Sequence, residues 1–90
     1  MTSYMLIFDP TKTNPTNMHN VIQNNLLVSN WWHYLPSAYI LLSQHSITAI
    51  QNDLLVKLPN QRFMLTKIDP KVVGGWLPEE AWKWVRDHSS

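Results

Sequence analysis

The sequence predicts one small α+β domain in which two β-α-β passages share a single sheet and both helices lie on one face. Three observations predict it. The chain has 90 residues, enough for one domain. Its apolar runs follow the order strand, helix, strands, helix, strand. It has no cysteine, so no disulfide or thiolate metal site can replace a packed core. So short a chain buries only about 60–65% of its unfolded surface, so its stability is marginal. We expect it to pair with a second copy, because Trp31–Leu42 and Trp76–Val85 offer a surplus of aromatic and apolar surface and the chain carries little charge.

The first strand and the first helix are marked by their ends. Tyr4–Phe8 is a short apolar run of β-forming residues that Asp9-Pro10 ends, which predicts a strand buried on both faces. Asn14 is placed to cap a helix with Pro15 at its first position, and Thr16 is the rival cap. The helix is expected from about residue 15 to 27 through apolar positions at helical spacing: Met18, Val21, Ile22 and Leu26.

The middle of the chain predicts two further strands, a helix and a fourth strand. Trp31–Leu35 and Ala38–Leu42 are rich in β-formers and meet at Pro36-Ser37, which is either a tight hairpin or a break in one bent strand. Ser46 can cap the next helix. The apolar stripe of that helix is Ile47, Ile50, Leu54 and Leu58. Arg62–Ile68 then alternates in the manner of a strand.

The last twenty residues are predicted to add further elements to these strands and helices. Val72-Val73 is a candidate edge strand, and Gly74-Gly75 is a flexible joint. Pro78 opens a final helix whose positive end carries two acids, Glu79 and Glu80. We therefore divide the domain into a core at 1–73 and a Trp-rich helical extension at 74–90.

This order of elements is that of a ferredoxin-like βαββαβ sandwich, with an added C-terminal edge strand and short helix. The preference for right-handed crossovers makes it the simplest topology for such a chain.

Charge and hydropathy restrict the partners. The net charge is +1 and charged residues make up 14% of the chain, so broad electrostatic capture of nucleic acid is disfavoured. A compact anionic ligand held by two or three basic residues remains open. No apolar run has the length of a signal peptide or membrane span, so we expect a soluble cytoplasmic protein with no membrane partner.

Five tryptophans in 90 residues need an explanation. They form either a stacking platform, on which each base gains about 1–3 kcal/mol, or packing for a small core and a subunit interface. Alternation sends Trp31 and Trp32 to opposite faces of the sheet, so both uses are open. The candidate ligand-binding residues are Trp31, Trp32, His33, Tyr34, Ser37, Tyr39, Arg62, Lys67 and Trp76.

Parts of the chain resemble two known groups of proteins. Residues 3–73, with Phe8-Asp9 ending the first strand and Ser37-Ala38-Tyr39 in a later one, resemble the small ferredoxin-like CRISPR-associated adaptation nuclease family. Trp31–Leu35 and Trp76–Glu80 are similar to segments of short proteins labelled SinR-family. The first resemblance implies a homodimer in a phage or defence setting. It also places Asp9 at a metal-binding position near the dimer axis.

Three functions follow. The first is a non-catalytic binding module, dimeric or of higher order, that holds a nucleotide-type ligand or short nucleic acid without a cofactor. The second is a metal-dependent endonuclease of RNA or DNA, in which Asp9 binds a divalent ion such as magnesium. The third is a protein-interaction adaptor or inhibitor. We favour the first, because it accounts for weak charge and high aromatic content together and needs no catalytic set.

Overall fold

The computed structural model describes residues 1–88, which form four strands and three helices. Their bounds are β1 Thr2–Phe8, α1 Pro15–Gln23, β2 Asn30–Leu35, β3 Ala38–Ser43, α2 Ile47–Lys57, β4 Phe63–Ile68 and α3 Glu79–Asp87. The sheet is antiparallel in the order β2-β3-β1-β4. This order confirms the ferredoxin-like prediction, because α1 and α2 each connect two strands that have a third strand between them. Pro36-Ser37 is a tight hairpin turn between β2 and β3.

The main core lies between the sheet and helices α1 and α2. Alternation along the two inner strands, β1 and β3, directs every second side chain to this helix face. The strand residues that enter the core are Tyr4, Leu6, Phe8, Tyr39 and Leu41, and the helical ones are Met18, Ile22, Ile50 and Leu54, with Leu58 at the end of α2. Full burial of one such side chain contributes about 1.5–3 kcal/mol, so this layer supplies most of the apolar stabilisation.

A second, smaller core lies on the opposite face of the sheet, beneath α3. Ala81 and Val85 of the helix are buried there against Trp32 and Ile40 of the strands. Two acids in the first turn of α3 and a basic residue in its last turn suit the helix dipole. The helical part of the predicted extension is therefore packed on the sheet, and residues 89–90 lie outside the described residues.

Helix α1 ends at Gln23, four residues earlier than expected. The cause is the buried side chain of Asn25, whose carbonyl oxygen accepts the Leu27 amide N–H at 2.9 Å. Its amide nitrogen donates to the Asp53 carboxylate on α2 at 2.8 Å. Because these bonds hold the chain in a turn, Leu26 leaves the helix and lies almost fully exposed.

The predicted edge strand at Val72-Val73 is wrong, since the sheet of residues 1–88 contains only β1–β4. Asp69-Pro70 begins a turn instead. The Asp69 carboxylate accepts the Lys71 amide N–H, and its carbonyl accepts the Val72 amide N–H, both at 2.9 Å. These bonds direct the chain away from β4 and over the second face of the sheet.

None of the three helices in the described part of the chain has the length and apolar content needed to cross a bilayer.

The Asn14 cap of helix α1 is expected to stabilise the folded protein. The Asn14 side chain accepts the amide N–H groups of Thr16 and Asn17 at 2.9 and 3.2 Å. Asn14→Ala should therefore lower the free energy of unfolding by about 1 kcal/mol, measured by urea denaturation. Thr16→Ala, at the rival cap position, is the control and should change it by less than about 0.5 kcal/mol. Equal losses from the two variants would contradict the assignment of the cap.

Candidate interaction site on the second face of the sheet

The second face of the sheet, on the side of α3, consists of three cross-strand rows. The strand register gives their members. Row one is Asn30, Leu42, Ser3 and Ile68; row two is Trp32, Ile40, Met5 and Thr66; row three is Leu35, Ala38, Ile7 and Met64. None of these residues is charged, and most are apolar. Another part of the protein, or a partner molecule, is therefore expected to pack on this face.

Helix α3 covers only part of this face. Ala81 and Val85 pack over the first two rows, and the Trp32 indole N–H donates to the Ala81 carbonyl at 3.2 Å. The residues packed with α3 in this core, namely Trp32, Ile40, Met5 and Ile68, all belong to the first two rows, and no member of the third row is among them.

The third row, which we call the open row, is exposed and apolar. Leu35 is 41% exposed, Ile7 42% and Met64 63%, with the buried Ala38 among them. The prediction that the first strand is buried on both faces is therefore wrong at Ile7. This strand is central in the sheet, but within residues 1–88 the core on the second face, beneath α3, does not include Ile7 at its C-terminal end.

An apolar groove adjoins the open row. It has a volume of about 320 Å³ between the sheet, α3 and residues 73–77. Its lining is Met5, Trp32, Leu35, Ile40, Val73, Gly74, Gly75, Trp76, Leu77, Trp82 and Val85. Trp76 stands at the rim with 86% of its surface exposed. Gly75, beside it, has φ +135°, which residues with a side chain rarely adopt.

A cluster of aromatic rings lies on the other face of the sheet, which helices α1 and α2 cover. The Tyr39 ring is fully buried, and its hydroxyl is hydrogen-bonded to His19 Nδ1 at 3.0 Å. Burial raises the pKa of the Tyr39 phenol, so the group stays neutral at ordinary pH. The His33 ring stacks on Tyr39 with centroids 3.9 Å apart. His33 Nδ1 donates to the Ala38 carbonyl at 3.0 Å, since a carbonyl only accepts.

His19 completes this cluster and was not among the predicted site residues. The planes of the His19 and Trp31 rings are nearly perpendicular, and the ring centroids are 5.1 Å apart. The sequence contains no local signal for this contact, because α1 and β2 are brought together only by the tertiary fold.

The nine predicted ligand-binding residues do not form one site within a chain. Trp31, His33 and Tyr39 lie on the helix face, whereas Trp32 is buried on the second face with Tyr34 tilted against it. The exposed Ser37 is in the hairpin turn. The two basic residues, Arg62 and Lys67, lie just before and within β4, at the opposite edge of the sheet from β2. Trp76 stands apart on its loop.

Asp9 has the contacts of a turn-forming residue. Its Oδ1 accepts both the hydroxyl and the amide N–H of Thr11, at 2.6 and 2.9 Å. These two bonds hold the pKa of the Asp9 carboxyl below its usual range. Its backbone carbonyl accepts from Lys12 and Thr13. Within residues 1–88 no three histidine or acidic side chains are grouped closely enough to hold a metal ion, so Asp9 does not belong to such a group in that part of its own chain.

Comparison with known proteins returned no match to a family model, a curated protein or a solved structure. The resemblance to the CRISPR-associated and SinR-labelled families therefore stays a prediction.

The buried hydroxyl of Tyr39 can be tested against an exposed one. Tyr39→Phe removes the partner of His19 and should lower the free energy of unfolding by about 1 kcal/mol. Tyr34→Phe removes the hydroxyl group of a half-exposed ring and should change the free energy of unfolding by less than about 0.5 kcal/mol. Denaturation of both variants in urea measures the difference. No loss in Tyr39→Phe would show that the bond to His19 is not stabilising.

The Asp9 turn predicts a pH dependence. A lowered carboxyl pKa in the folded state stabilises the fold above the unfolded pKa, about 3.9, and that contribution is lost as the pH falls through the folded value. Asn at position 9 keeps the turn geometry but carries no charge. The melting temperature of the wild type should exceed that of Asp9→Asn by a constant amount down to about pH 5, and the excess should shrink below about pH 4. An excess that does not shrink as the pH falls below about 4 would contradict this assignment.

Proposed function

We propose that this chain is a non-catalytic interaction module that works as a homodimer, with the open row and the adjoining groove as its interface. The observation that carries the proposal is the uncovered third row of an otherwise covered, uncharged sheet face. It shares the homodimer and the absence of catalysis with the first of the functions considered above, and the protein partner with the third.

The open row differs from ordinary exposed apolar residues. Single apolar side chains on a surface are normal and need no explanation. Val56 on α2 and Leu26 after α1 are of that kind. In contrast, Leu35, Ile7 and Met64 belong to one cross-strand row and continue into an apolar groove. Contiguous apolar patches of this sort mark interaction sites.

Apolar protein surface suits this face better than a nucleotide does. Among the described residues no lysine or arginine lines the groove, so a phosphate would enter it without a compensating charge. Of the two predicted basic residues, Lys67 belongs to the opposite face, since its neighbours Thr66 and Ile68 face α3. Trp76 offers a single exposed ring for stacking, whereas most of the remaining lining is aliphatic or already packed.

A second copy of the chain meets the requirements of charge and area. Two uncharged faces can approach without repulsion. The end of the open row is flanked by Asp9 and Arg62, one charge of each sign, which a two-fold axis can pair between copies. A standard interface needs about 800 Å² per partner. That is about a seventh of the 5682 Å² surface of the chain, so residues flanking the open row and the groove must contribute to the interface as well.

The endonuclease has less support. Asp9 Oδ1 is engaged by two hydrogen bonds from Thr11, and a single carboxylate per chain is a poor site for a divalent ion.

The interface can be tested by sedimentation across a range of protein concentrations. The wild type should dimerise at micromolar concentrations, and Met64→Lys should weaken dimerisation at least about tenfold, because it places a charge in the desolvated row. Val56→Lys is the matched control, since Val56 is 80% exposed but lies on α2, and it should leave the dimer unchanged. Circular dichroism checks that both variants are folded.

Several results would overturn the proposal. A wild type that stays monomeric at all concentrations, or equal weakening by both lysine variants, would remove the open row as the interface. A thermal shift from nucleotides in folded Met64→Lys as well as in the wild type would favour the nucleotide-binding module instead. Metal-dependent cleavage of RNA or DNA that is lost in Asp9→Ala would favour the endonuclease.

A further inference from the structure

We infer that each Trp76 side chain inserts into the apolar groove of the partner copy, so that the two chains exchange tryptophans across a two-fold axis. This inference rests on the proposed homodimer and names the contact that anchors it.

Trp76 is the exception among the five tryptophans. Trp32 is buried, and Trp31, Trp82 and Trp84 are partly buried against the two cores. Trp76 alone is 86% exposed. An aromatic side chain of this size buries about 150–250 Å² when it is packed, and tryptophan is enriched among the residues that dominate binding energy. Its position outside both cores indicates a use in contact with another molecule.

The loop that carries Trp76 leaves the side chain free to move. At Gly74 and Gly75 no heavy atom of the described residues lies within 4 Å of the place where a Cβ would be. Two successive glycines permit more backbone conformations than any other pair. The backbone just before Trp76 therefore carries no side chain whose bulk would restrict it.

The groove has the size and lining for one indole. A cavity of about 150 Å³ holds a benzene-sized ring, and the groove has about twice that volume. Met5, Trp32 and Ile40 belong to the sheet that forms its floor, and α3 forms one wall. Gly74 and Gly75 line it with backbone atoms only, because they have no side chain. Their carbonyls can accept the indole N–H, which needs a partner when it is buried.

Symmetry connects the tryptophan to the groove. In a two-fold dimer the same patch is used twice, so a residue and the partner site that it contacts both belong to that patch. Trp76 stands on the rim of its own groove, and the open row begins at Leu35, which lines the same groove. An axis beside this rim brings each Trp76 to the mouth of the other groove while the open rows meet.

The test combines dimer affinity with a probe of the tryptophan itself. Trp76→Ala should weaken dimerisation about thirtyfold or more in sedimentation equilibrium, the loss typical of a central tryptophan. Val72→Ala is the matched control: Val72 is exposed in the same segment, does not line the groove, and should leave the affinity unchanged. Both substitutions are at exposed positions outside the two cores, so the variants should fold.

Fluorine NMR of the protein labelled with fluorotryptophan reports where the indole lies. The resonance that disappears in Trp76→Phe is assigned to Trp76. It should be sensitive to exchange of water for heavy water in dilute monomer, and lose that sensitivity as the dimer forms.

The outcomes separate this inference from the proposed function. If Trp76→Ala dimerises as well as the wild type, the homodimer stands and the tryptophan exchange is wrong. If the resonance of Trp76 is shielded from solvent at every concentration, the side chain occupies its own groove and the exchange is also wrong. If the wild type does not dimerise at all, both proposals fail.

Discussion

The alternation of side chains along β1 and β3 is the constraint on which the rest of the structure depends. These two strands are central and apolar on both sides, so the sheet needs a cover on each face. Helices α1 and α2 cover one face. The other face has only α3 among the described helices, and its nine residues cover two of the three rows. The open row and the groove remain exposed because α3 does not pack on the whole face, and this exposed apolar surface supports the proposal of a partner.

The same constraint explains how the aromatic residues are used. Trp31 and Trp32 are neighbours in sequence but belong to different cores, because successive residues of a strand face opposite ways. The density of aromatics is thus mainly the consequence of a small protein filling two cores at once. Trp76 remains outside both, at the rim of an apolar groove, and is the tryptophan placed to contact a second copy of the chain.

Local signals in the sequence predicted the order of the seven observed elements but added a strand at Val72-Val73 that does not form. Contacts between distant residues determine the features that the local signals missed. The Asn14 cap, the Ser46 cap and the acidic start of α3 are short-range features, and each was predictable. The early end of α1 depends on a bond from Asn25 to Asp53, and the cluster around Tyr39 depends on His19, contacts over long sequence separations. The exposure of Ile7 depends on how far α3 extends across the sheet, which periodicity within β1 does not reveal.

The most direct test of the open row as an interface is an isotope-filtered NOE measurement on a dimer assembled from labelled and unlabelled chains. If the open rows of two copies meet, intermolecular NOEs should reach the methyl groups of Ile7 and Met64, which lie in that row. A dimer in which intermolecular NOEs arise only at Val56 or Leu55 on α2, with none at Ile7 or Met64, would contradict this arrangement.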